Sequence, residues 1–238
     1  MVFLQPYGSA SHDNEMSIDW FPLILSLKVA TIATVISGLF GVAIAWVLVY
    51  KPFKGSTILE AFLMLPLVLP PTVLGYGILI AAGRHSPIGA WLRAHIDYTL
   101  IFNWHGAVVA ASLASLPLVL KSAITAFAQV DHSLEAVAST LRQSPLSIFL
   151  RVTLPLAWPG ILAGGLLGFA RAMGEFGASL MVAGSIPGQT QTLSMAIYDA
   201  SQAGHDDLAG VLVIVVSVLS ITILVLSNHF LGQSKKIR

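Results

Sequence analysis

The residues with the clearest capacity for chemistry are Arg171 and Glu175, four apart in the run Gly168-Phe169-Ala170-Arg171-Ala172-Met173-Gly174-Glu175-Phe176-Gly177. That spacing lets a cation and a carboxylate pair along one helical face. Ionisable groups in such apolar surroundings mark functional sites by default, or else hold packed helices together beside small residues such as Gly164, Gly165, Gly168, Gly174 and Gly177. Other chemistries lack their parts. The seven histidines are scattered with no HxxxH or HExxH pair, and there is no cysteine, so neither a metal site nor a thiol nucleophile has support. No GxxxxGK run followed by Ser or Thr offers a phosphate-binding loop, and no GxSxG offers a nucleophile elbow. The chain therefore reads as a non-enzyme that requires no cofactor.

Composition says which solvent positions these groups. Of 238 residues, 56% are hydrophobic and 10% are charged, with a mean hydropathy of +0.84. Soluble domains carry roughly 25% charge, so lipid is the expected solvent here. A net charge of +1 gives no basis for binding nucleic acid. Six stretches lack Asp, Glu, Lys and Arg: 29–50, 61–83, 98–120, 152–170, 176–198 and 208–234. A crossing helix needs about 20 such residues, because backbone amides in hydrocarbon must bond within their own segment. Five stretches qualify. The exception is 176–198, whose middle reads Gly184-Ser185-Ile186-Pro187-Gly188-Gln189-Thr190-Gln191, which is turn chemistry. Five spans are expected, with a broken or re-entrant sixth as the alternative. In the second stretch Pro66, Pro70 and Pro71 predict a kinked helix, partly hydrated or bent for packing alone.

Basic residues near span ends set orientation. Lys51, Lys54, Lys121, Arg142, Arg151, Lys235, Lys236 and Arg238 share one side, and Arg84 and Arg93 fall opposite. The N-terminus is thus expected outside and the C-terminus in the cytoplasm, with Trp20, Trp91 and Trp104 near the outer interface. Lys28 is expected to snorkel outward from just inside the first span. Segment 1–20 carries Asp13, Glu15 and Asp19 and has no basic start, so it reads as an external segment rather than a signal peptide.

The inner loop between the third and fourth spans is the most informative segment. Asp131-His132-Ser133 starts a helix; Leu134, Val137, Ala138 and Leu141 recur at three- and four-residue spacing; Ser144-Pro145 ends it. A second run, Leu146 to Leu154, repeats the pattern before Pro155. Two short amphipathic helices are predicted, lying on the membrane face or in a partner's groove.

Leu134-Glu135-Ala136-Val137-Ala138-Ser139-Thr140-Leu141 followed by Val152-Thr153-Leu154-Pro155 resembles the EAA loop of ABC-importer permeases. In that pattern Ala136-Val137-Ala138 fills the triplet, Glu135 lies one place ahead of the acidic slot, and Arg142 occupies the glycine slot. The stretch FARAMGEFGASLMVAGSIPGQTQTLSMAIY and the run LPLVLPPTVLGY are similar to molybdate and tungstate permeases. Sulfate permeases share only part of the first. The chain is identified on this resemblance as a permease of the molybdate ABC transporter type, within the binding-protein-dependent transport system inner-membrane component family.

The resemblance implies an all-α polytopic membrane protein with the type I ABC importer permease fold and five or six transmembrane helices. It divides the chain into an external segment 1–20, a transmembrane domain 21–231 with a coupling loop 131–156, and a cytoplasmic tail 232–238. It assigns ATPase coupling to Leu134, Glu135, Ala136, Ala138, Leu141, Arg142, Leu154 and Pro155. It places Arg171, Gly174, Glu175, Gly177, Pro70 and Pro71 near the translocation pathway, where Arg171 would attract an oxyanion and Glu175 would keep it from being trapped. The implied partners are a second copy in a homodimer, two ATP-binding subunits on the cytoplasmic side, an external molybdate-binding protein and membrane lipid. The implied location is the cytoplasmic (inner) membrane. Sulfate, thiosulfate or tungstate import is the neighbouring alternative. An ion-coupled carrier acting alone would need an inverted repeat that the sequence lacks.

Overall fold

The structure, a computed structural model, describes residues 19–84 and 86–236. The readings made of segment 1–18 and of Arg238 lie outside those residues.

α1 (Phe21–Tyr50) is one 30-residue helix, about 45 Å long at the usual rise. Asp19 opens it by accepting the Phe21 N–H at 2.8 Å, an anion where the helix dipole favours one. Thr31 and Thr34 donate to the carbonyls of Leu27 and Ala30 at 2.7 Å, which satisfies their hydroxyls without water. Small and medium residues, among them Ala30, Ala33, Ser37, Gly41 and Ala45, form the buried stripe of α1.

The second charge-free stretch is two helices, α2 (Ser56–Val68) and α3 (Pro71–Ala82), bent by 113° at the break. The kinked single helix expected there is thereby corrected. Consecutive prolines explain it: Leu69 and Pro70 each precede a proline, which disfavours helical ψ, and both are extended with ψ 142 and 138. Pro66 inside α2 leaves that helix continuous. α4 (Pro87–Ile96) follows, capped by the Ser86 hydroxyl on Gly89 N–H.

α5 (Trp104–Ala128) is the central helix, packed on α1, on α8 (Leu154–Met173) and on α9 (Gly177–Ala183). Its contact with α8 is set by glycine. A Cβ on Gly160 would lie 2.7 Å from the Ala126 Cβ, one on Gly164 2.3 Å from the Ser122 Cβ, and one on Gly168 2.6 Å from Val119 Cγ2. Spacing of four keeps these on one face, so the helices approach as closely as small-residue membrane interfaces permit.

Between α5 and α8 lie α6 (His132–Thr140), α7 (Pro145–Ile148) and a π turn at Phe149–Thr153. Past α9 come α10 (Leu193–Gln202) and α11 (Asp206–Lys236). Among the described residues four helical segments are long and apolar enough to cross a bilayer, or five if the bent pair α2–α3 is counted as one broken span. The sixth stretch does not cross as one helix: α9 has seven residues and gives way to a loop before α10. Ile214, Val218, Ile221 and Val225 on α11 and Ile58, Phe62 and Val68 on α2 are exposed, as lipid or a partner helix allows.

Candidate functional site

Two clusters gather the residues singled out in the sequence. The first is at the loop end of the bundle. Asp131 caps α6 by accepting the Ser133 N–H at 2.8 Å. Leu134, Val137, Leu141, Leu146 and Leu150 are all exposed and leave an apolar face uncovered, with Ala136 exposed beside it and Ala138 half-buried. Glu135 turns the other way. Its carboxylate accepts hydrogen bonds from the Tyr50 hydroxyl at 2.9 Å and from the Thr153 hydroxyl.

Arg142, in the glycine slot, has φ 56. The left-handed turn that glycine would supply is therefore kept, at a cost of about 1 kcal/mol for a residue with a Cβ. The second amphipathic helix expected from Leu146 to Leu154 is corrected: this run is the foot of α8, continuous with it through the π turn. Pro155 cannot accept a regular preceding turn, because it lacks an N–H and its ring crowds the carbonyl four back. The widened turn, in which Leu154 N–H reaches back to the Phe149 carbonyl, lets the helix pass through it. Leu154 is half-buried and Pro155 exposed.

The second cluster is the joint between α8 and α9. Arg171 Nη1 lies 2.7 Å from Glu175 Oε2. The pair forms as its spacing predicts, but not on one helix, since α8 ends at Met173 with Gly174 as its cap. Glu175 is 3% exposed, and its Oε1 also accepts the Ala178 N–H at 2.9 Å at the start of α9. Gly177 lies where a Cβ would meet the Pro71 Cβ at 2.8 Å, and a Cβ on Gly75 would meet Met181 Cβ at 2.9 Å. The break at Pro70-Pro71 is thus seated on the start of α9. Arg171, Gly174, Glu175, Gly177 and Pro71 belong to one region, with Pro70 exposed beside it.

Three polar groupings escaped the sequence reading. Lys121 pairs with Glu60 at 2.8 Å, joining α5 to α2. Asp199 accepts from Ser185 and from Gln191, the latter at 2.7 Å, and so closes the loop before α10. Tyr50 and Thr153 hold Glu135. Opposite charges at the starts and ends of neighbouring apolar stretches were the available signal for the first; the others join residues whose separation in the chain hides their proximity. Lys28 places its ammonium 3.7 Å from the centroid of the Trp104 ring, a cation–π pairing between α1 and the start of α5. Among the described residues no group of His, Asp or Glu is placed to hold a metal.

The model of the family described as "Binding-protein-dependent transport system inner membrane component" matches residues 37–236. This chain belongs to that family. It is a transport component rather than an enzyme. ModB, the molybdenum transport system permease protein of Escherichia coli strain K12, is 40% identical over 220 residues, covering 92% of this chain and 96% of that one. ModB of Haemophilus influenzae is 39% identical over 213 residues, covering 89% and 93%. A protein of Nephroselmis olivacea described as "Probable sulfate transport system permease protein cysT" is 32% identical over 240 residues, covering 99% of this chain and 84% of that one. Among solved structures, a chain of the MetNI methionine ABC transporter superposes with a TM-score of 0.68 at 14% identity, covering 94% of this chain and 99% of that chain. An amino acid ABC transporter gives 0.60 at 18% identity, covering 88% and 90%. The fold is that of type I ABC importer permeases, as expected.

Proposed function

We propose that the chain is the molybdate-translocating permease of a binding-protein-dependent importer, working as a homodimer with two cytoplasmic ATP-binding subunits and an external molybdate-binding protein. The observation that carries this reading is the 40% identity to the ModB permease over 92% of the chain, against 32% for the sulfate permease. The exposed leucines and valine of the 131–156 loop offer an apolar surface to the ATPase, and the skew of Lys and Arg toward that side supports a cytoplasmic position for it. Closure of the ATPase on ATP then tilts α5 and α8 through α6 as rigid bodies.

At the α8–α9 joint Arg171 keeps part of its guanidinium accessible, its side chain being 29% exposed, while Glu175 is sealed in. Arg171 attracts the oxyanion there, and the fixed carboxylate moderates its hold. Uptake of labelled molybdate, tungstate and sulfate into vesicles containing the permease, its ATPase and its binding protein tests the assignment. Molybdate uptake that sulfate does not compete away is expected; sulfate as the preferred cargo overturns it.

A further inference from the structure

This inference rests on the coupling role just proposed and concerns how the loop is fastened to the spans it must move. Glu135 sits between exposed Leu134 and Ala136, yet its carboxylate turns back into the chain. One oxygen, Oε1, accepts from Tyr50, the last residue of α1, and from Thr153, at the foot of α8. Charge-assisted bonds of this kind are roughly twice as strong as neutral ones.

Thr153 had another choice. Thr31, Thr34, Thr125 and Thr222 each turn the hydroxyl onto the carbonyl four residues back, the usual way for threonine in an apolar helix. Thr153 is 2% exposed and reaches across to α6 instead, from a π turn of the sort that often marks a functional position. Beneath this lies a floor of rings. Tyr50 meets Phe127 edge-on at 6.2 Å, and Trp46 meets Phe149 at 5.7 Å, so α1, α5 and the foot of α8 are packed together where the carboxylate arrives.

We infer that Glu135, Tyr50 and Thr153 form a strut that locks the coupling helix to the ends of α1 and α8, so that displacement of α6 moves both spans without slack. Tyr50 and Thr153 are positioning residues for transport, and Glu135 acts on the permease side of the interface rather than as a contact for the ATPase.

The readout is the number of oxyanions imported per ATP hydrolysed in vesicles holding the whole transporter. Whichever of molybdate, tungstate or sulfate the wild type imports serves as the probe, so a wrong substrate above does not disturb the measurement. Tyr50→Phe combined with Thr153→Val removes the donors on α1 and at the foot of α8, and the ratio is expected to fall at least about fivefold while the ATPase still co-purifies. Each single substitution is expected to lower it about twofold and decides the matter if the double variant cannot be recovered. Glu135→Gln keeps an acceptor oxygen for the hydroxyls but loses the charge that strengthens both bonds, so the ratio is expected to fall about twofold with the ATPase still bound. A purely structural role would reduce the amount of complex but not the ratio. A wild-type ratio in the Tyr50 and Thr153 variants overturns the strut, as does loss of ATPase binding in Glu135→Gln; a wild-type chain that binds no ATPase overturns both readings.

Discussion

Glu175 and Arg142 show two ways a single residue can be costly and still be retained. With its side chain 1% exposed, Glu175 is a charge taken out of water, and it is tolerated because Arg171 and the Ala178 N–H both meet it. Removing the carboxylate strands the guanidinium, so Glu175→Ala is expected to destabilise the chain by about 3 kcal/mol. Arg171→Met made together with it should recover part of that loss, a coupling that unfolding of the two single variants and the double variant in detergent would measure. Arg142 presents the opposite case, strain in an exposed backbone turn at φ 56. Arg142→Gly should fold at least as well as the wild type, whereas Arg142→Val, whose branched Cβ resists left-handed φ, should lose about 1–2 kcal/mol and expose the loop to protease.

Elements fit together here through the absence of side chains as much as through their presence. Gly164 and Gly165 are neighbours on α8, but a Cβ on Gly164 would lie 2.3 Å from the Ser122 Cβ while one on Gly165 meets nothing within 4 Å. Gly164→Ala is therefore expected to cost about 1–3 kcal/mol through overpacking, and Gly165→Ala to be neutral or slightly stabilising, as thermal unfolding in detergent would report. The sequence marks both glycines as packing residues. It could not separate them, because which face of α8 meets α5 depends on tertiary placement. The spans themselves were legible, since freedom from charge over about 20 residues is a demand of the solvent. The 113° break was not: three prolines announce a bend, but its angle comes from two successive residues before proline and from the seat that Gly177 offers Pro71. The loop's first helix was legible from its cap and its apolar period. Its second run was misjudged because a π turn lets a helix carry through a proline that ordinarily stops one.

For the whole molecule, the two ends of the bundle are chemically distinct. One gathers Tyr50, α6 and the foot of α8; the other has Lys28 over Trp104 and the exposed Trp20 and Trp91. With no cysteine in the chain, single introduced thiols report topology without background. Ser139→Cys is expected to react with a membrane-impermeant reagent only after the membrane is opened, and Ala90→Cys in intact cells. The apolar face of α6 then gives the sharpest test of what that end of the bundle is for. Val137 is 60% exposed and Leu141 69%, so a charge at either position meets water in the isolated chain and should leave its folding within about 0.5 kcal/mol of the wild type. Against a partner the same charge is buried without a counter-ion, which costs several kcal/mol. Val137→Asp is accordingly expected to insert and fold normally while its co-purification with the ATP-binding subunit drops at least about tenfold. Retention of that subunit at wild-type levels would mean that this face lies against lipid headgroups and that the ATPase grips the chain elsewhere.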